Sequence, residues 1–74
     1  VAKTYVTFGS SHVHRINGHT IDKDCVAIIE CKNAEDGRSK AFEFFNDKFC
    51  FEYPEEYFNI DSMKYFPRGF IKVN

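Results

Sequence analysis

His12, His14 and His19, with Ser10, Ser11 and Arg15 beside them, are the residues of this 74-residue chain whose types and spacing suit chemistry. On an extended strand, H-x-H places both imidazoles on one side. A third imidazole from a facing strand then gives a workable geometry for a divalent metal such as zinc, nickel or copper. The same imidazoles, together with the hydroxyls of Ser10 and Ser11 and the guanidinium of Arg15, are donors to phosphate oxygens, so a nucleotide or phosphate is the other ligand they suit. Set against both is the ordinary reading of histidine as a polar residue on a hairpin arm. Nucleophilic catalysis would need Cys25, Cys31, Cys50 or a serine activated by a base, and His12 with Asp22 or Asp24 supplies the residue types. Two of those thiols, Cys25 and Cys31, fall on the apolar face of a predicted strand, where a reduced cysteine packs as a small hydrophobe. The expectation is a protein that is not an enzyme and has no resident cofactor.

One long β-hairpin, Thr4 to Lys32, must position these histidines. Its turn is Asn17-Gly18, the two residues that best tolerate the positive φ angles of a type I′ turn. A two-residue loop without a bulge pairs Ile16 with His19, His14 with Ile21, His12 with Lys23, Phe8 with Ala27 and Val6 with Ile29. One face then carries Val6, Phe8, Cys25, Ala27, Ile29 and Cys31 at the base and the three histidines at the tip. Gly9-Ser10-Ser11 marks a bend between an apolar base that joins the core and a polar tip that buries little.

Asn33 is a suitable N-cap, and Asp36 stands where a capping-box acid would, so a helix is predicted from Ala34 to Phe45. Its apolar stripe is Ala34, Ala41, Phe42 and Phe45, with Phe44 at the flank and Gly37 weakening the helix by about 1 kcal/mol relative to alanine. Phe49 to Tyr53 alternates as a short strand that Pro54 stops. Glu55 to Phe66 reads as one or two short helical turns capping the core, with an opening at Asn59. Phe66-Pro67-Arg68-Gly69 is a turn leading into a last strand, Phe70 to Val73. The fold class is α+β: a single domain over 1–74 with about four largely antiparallel strands and one main helix on one face, in the order β-β-α-β-short α-β. The second face of that sheet would carry Tyr5, Phe49, Phe51, Tyr53 and Phe70. A thin domain cannot hide them all, which makes Tyr5, Phe51, Tyr53 and Phe70 the expected interaction residues.

Composition narrows the functional classes. A chain of this length buries only about 60% of the surface its unfolded form exposes, leaving little room for an enclosed cleft. Nine Phe and four Tyr offset the thin core. A net charge of −1 supplies no broad positive field for nucleic acid. Three cysteines without C-x-x-C spacing suggest neither a disulfide framework nor a zinc knuckle, and point to a reducing setting. The longest apolar run, Cys25 to Ile29, is far below the roughly 20 residues that cross a bilayer, so no membrane partner is expected.

The strings T-F-G-S-S-H-V-H-R-I-N-G (Thr7 to Gly18), D-K-D-C-V-A-I-I-E (Asp22 to Glu30), A-F-E (Ala41 to Glu43) and Y-F-P-R-G (Tyr65 to Gly69) resemble small proteins encoded in phage and prophage genomes. Gly37 departs from the alanine-rich helix expected in that group. The resemblance implies an accessory protein in the cytoplasm of an infected bacterium, where such proteins bind a host protein or a host signalling nucleotide. The expected function is therefore a small interaction protein that binds a host protein or self-associates, for instance as a homodimer. The alternative is a nucleotide, phosphate or metal binder built on the histidine tip.

Overall fold

In the computed structural model, which describes residues 2–74, the β-branched segments on either side of the histidines become β1 (Ala2–Thr7) and β4 (Cys25–Cys31). Between them, β2 (His14–Ile16) and β3 (His19–Ile21) flank Asn17-Gly18, whose φ angles of 53° and 82° fit the type I′ turn. The helix α1 spans Ala34–Phe45. After it come β5 (Phe51–Pro54), two 3-10 turns (Glu55–Tyr57 and Ile60–Tyr65) and β6 (Gly69–Lys72). The architecture is α+β: a four-stranded sheet in the order β5-β1-β4-β6 with α1 against one face, and β2-β3 as a separate two-stranded sheet. β1 runs antiparallel to β4 and β5, whereas β6 lies parallel to β4.

The long hairpin is therefore two pieces rather than one. At the tip, Ile16 faces His19 and His14 faces Ile21, as the turn dictates. At the base, Val6 faces Ala27 and Thr4 faces Ile29, a two-residue shift from the expected register, and His12 and Lys23 fall outside both ladders. Gly9, with φ of 55°, starts a turn that carries the chain out of the sheet. The connection from Phe8 to Val13 is longer than the one from Asp22 to Asp24 that returns. Because the shift is even, the faces are preserved. Val6, Phe8, Cys25, Ala27, Ile29 and Cys31 are all buried.

Freed at Gly9, the β2-β3 ribbon folds back onto the domain instead of projecting from it. Ile21 is fully buried within the core cluster, and Ile16 packs against that cluster. Asn17 Nδ2 donates to the Val73 carbonyl at 3.1 Å, pinning the turn to the segment after β6. The expectation that the tip buries little is thus overturned: two isoleucines on the ribbon's inner side supply the apolar area that docks it.

Asn33 caps α1, its Oδ1 accepting the Asp36 N–H at 2.8 Å. Asp36 in turn accepts the Lys32 N–H at 2.9 Å, one residue before the position a capping box would use. The buried stripe of α1 is Gly37, Ala41 and Phe45, so Ala34 and Phe42 do not belong to it. Phe42 lies outward against Phe49, with ring centroids 5.2 Å apart. Phe49 precedes β5 and packs on the helix side of the sheet, which separates it from Phe51 and Tyr53.

Two aspartates fasten loops through charge-assisted bonds. The Lys32 N–H, with Lys40 nearby, holds the Asp36 carboxyl below the usual range. The Asp24 N–H, with Arg68 at 3.2 Å, does the same for Asp22. A carboxyl whose folded pKa is depressed contributes stability above its unfolded pKa and loses it as pH falls through the folded one. Melting temperature is accordingly expected to hold from neutral pH to about pH 5 and to fall below about pH 4. In Asp22→Asn/Asp36→Asn that acid slope should flatten, as a pH series of thermal melts will show.

Candidate functional site

Sheet order dictates how the second face is covered. β5 and β6 are the two edges, so the chain linking them must cross the whole sheet, and α1 already occupies one side. Pro54 ends β5, the turn Glu55–Tyr57 reverses direction, and Phe58 follows in extended conformation. Its ring stacks on Tyr5 at 4.7 Å and 24°, and approaches Tyr53 at 5.6 Å and Phe70 at 6.2 Å. Asn59 then caps the second turn, its Oδ1 accepting the Asp61 N–H at 3.0 Å. At the far side, the Arg68 N–H bonds the Asp24 carbonyl at 2.9 Å, seating β6 beside β4.

The four expected interaction residues share this face. Tyr5 sits opposite Tyr53 and Thr7 opposite Phe51, while Phe70 pairs with Val26; Tyr5 and Phe70 are 5.5 Å apart and Phe51 and Tyr53 are 5.9 Å apart. Phe58 covers the middle of the sheet, but the rim stays open: Phe51 is 58% exposed, Tyr57 73%, Tyr65 69% and Phe70 39%. Phe51, Tyr57 and Tyr65 help wall a groove of about 530 Å³ whose other aromatic sides are Tyr53, Phe58 and Phe66. Its polar groups include Lys23, Asn59 and Ser62. Lys23 is held by Asp24 at 3.2 Å and Arg68 by Asp22 at 3.2 Å, so both cations carry a counter-charge from the same chain.

Tyr57, Phe58, Tyr65 and Phe66 enter the site without having been singled out, because Glu55 to Phe66 reads in sequence as a cap on the core. Only the strand order, with β5 and β6 at opposite edges, carries that segment across the aromatic face.

The histidine cluster fares differently. His14 lies on the inner side of the ribbon, its ring 5.5 Å from Phe8 and 4.9 Å from Phe45, with Nε2 2.6 Å from the Lys48 carbonyl. A carbonyl only accepts, so Nε2 carries a proton there and is unavailable as a metal ligand. His12 falls in the connection from Gly9 to Val13, and His19 is exposed at the turn end of β3. Among the described residues, no three His, Cys, Asp or Glu side chains are placed to hold a metal ion. Ser10, Ser11 and Arg15 are exposed, and Arg15, one residue from His14 on β2, points to the ribbon's other side. His12, His14 and His19 are thus not assembled as a metal-ligand set among the described residues, and Arg15 lies on the opposite side of β2 from His14.

All three cysteines are free thiols. Burial pushes the Cys25 and Cys31 thiols up, whereas Cys50 is exposed beside the groove. Thiolate is the reactive form. A disulfide-exchange reagent at pH 7.5 should thus titrate one thiol rapidly in the native protein and three in denaturant, with Cys50→Ser abolishing the fast phase.

No helix is long and apolar enough to cross a membrane among the described residues. No family model, curated protein or solved structure matches the chain.

Proposed function

We propose that this chain is a small non-enzymatic interaction protein, a phage or prophage accessory protein that binds a host protein or another copy of itself through the aromatic face. One observation carries the reading: four large aromatic side chains, Phe51, Tyr57, Tyr65 and Phe70, stay open to solvent on this side of the sheet, the first three of them walling one groove. Four aromatics at these exposures leave roughly 400–500 Å² of mainly apolar surface accessible, taking about 200 Å² for each full side chain. Apolar patches of that size on a small domain commonly mark an interaction site. Tyrosine is also among the residues that dominate binding energy at protein interfaces, and both tyrosine and phenylalanine are enriched at interface cores.

The test compares the native chain with Tyr57→Ser/Tyr65→Ser, both as immobilised bait in a bacterial lysate and as free protein in light scattering. The expected result is a defined partner, either a retained protein or a second copy, that the double variant loses while melting normally. A native chain that stays monomeric and retains nothing beyond what the variant retains would overturn the proposal.

A further inference from the structure

Resting on that reading and deepening it, we infer that the aromatic face takes a second copy of this chain in a twofold symmetric dimer. A twofold interface needs one surface that is complementary to itself, so protrusion and recess must lie on the same patch. This face has both. Tyr57 and Tyr65 stand out at 73% and 69% exposure, and both border the groove of about 530 Å³. A tyrosine of one copy entering the groove of the other brings the reciprocal tyrosine into the first.

Charge permits this pairing. Facing copies place like groups near one another, and unscreened like charges across an interface oppose association. Here the groove cation Lys23 is offset by Asp24 and the neighbouring Arg68 by Asp22, and the whole chain carries only −1. The rim itself carries both signs, with Glu55 and Glu56 before Tyr57 and Lys64 before Tyr65, so it does not select a partner of a single charge.

Area is consistent with a small interface. A standard complex takes about 800 Å² from each partner, roughly a sixth of the 4735 Å² that this chain exposes. The four open aromatics provide about half of it, and the two largest dimensions of the molecule, 27 and 26 Å, leave room for the polar margin. An interface of this size is smaller than those of permanent dimers.

Cys50 provides a native reporter, since its exposed thiol borders the groove. Sedimentation equilibrium over about 1–500 µM is expected to give a monomer–dimer equilibrium. Tyr57→Ser and Tyr65→Ser should each weaken it by about tenfold or more. Glu35→Ala, on the exposed side of α1, should leave it unchanged. The rate of Cys50 alkylation by a maleimide should fall as concentration rises, in step with the dimer fraction. A chain monomeric throughout this range overturns the inference, and so does a dimer indifferent to both tyrosines with a constant Cys50 rate. If the monomeric chain still holds a lysate protein that Tyr57→Ser/Tyr65→Ser releases, the second copy is excluded while the interaction reading stands.

Discussion

Phe45→Ala is expected to lower the free energy of unfolding by about 3–5 kcal/mol, read as a drop in the denaturant midpoint at constant slope. Phe45 is fully buried and links three parts of the domain. Its ring meets Phe8 edge-on at 4.9 Å, lies 4.9 Å from His14 and neighbours Phe44 at 6.2 Å. Alanine would leave a cavity under the ribbon as well as under the helix. With total stabilities for small domains near 5–15 kcal/mol, the variant should be substantially unfolded near 37 °C. Phe45→Leu, losing about 1–2 kcal/mol, keeps the comparison measurable. At 42% exposure, Phe42 is the control within the same helix: Phe42→Ala should lose less than half as much as Phe45→Ala.

Gly37→Ala should destabilise the protein even though alanine favours a helix over glycine by about 1 kcal/mol. A Cβ at position 37 would stand 2.9 Å from Thr4 Cβ and 3.0 Å from Cys31 Sγ, with Thr4 Cγ2 at 3.3 Å. Thr4 Cβ is fixed to the backbone of the central strand β1, and Thr4 Oγ1 is further tied to Glu52 and to the Tyr53 carbonyl. The helix must therefore lift from the sheet or tilt. Overpacking of this kind commonly costs about 1–3 kcal/mol, which exceeds the propensity gain, so a net loss of about 1–2 kcal/mol is expected by denaturant titration. Ser39→Ala, on the exposed side of the same helix, should gain a few tenths instead. If Gly37→Ala raised stability, the close helix–sheet contact would be refuted.

Gly37 also shows where sequence is a good guide and where it is not. As a propensity fault in an otherwise well-formed helix, it is visible from the chain alone, and the bounds Ala34 and Phe45 follow from local residues: Asn33 and Asp36 at the start, and at the end Asn46, which takes a φ of 58° and donates its N–H to the Phe42 carbonyl. The Asn17-Gly18 turn and the burial of Val6, Ala27 and Ile29 are legible for the same reason: local geometry fixes them. What glycine is for depends on Thr4 and Cys31 arriving from elsewhere, and no periodicity reports that. The register shift at the hairpin base is equally non-local, since it accompanies the docking of Ile21 into a core built from distant residues. His14 looked like a ligand because H-x-H has a meaning of its own. Its actual place, between Phe8, Phe45 and the Lys48 carbonyl, is decided by a ribbon folding over a core. The common sheet face of Tyr5, Phe51, Tyr53 and Phe70 is legible from strand alternation, whereas the place of Phe58 requires the strand order.

That strand order has a kinetic consequence. β1, β4 and α1 are close in sequence and form the middle of the sheet with its helix, so their contacts close short loops and can assemble early. β5 reaches β1, and β6 reaches β4, only across some forty to fifty residues, as in Thr4 with Pro54 and Cys25 with Gly69. Substitutions at Ile29 or Ala41 should slow folding, whereas those at Tyr53, Phe58 or Ile71 should chiefly speed unfolding. The aromatic face proposed to take a partner is then expected to be the last layer to form and the first to open. A bound second copy, by holding both edge strands down, would lengthen the life of the native state more than it would hasten its formation.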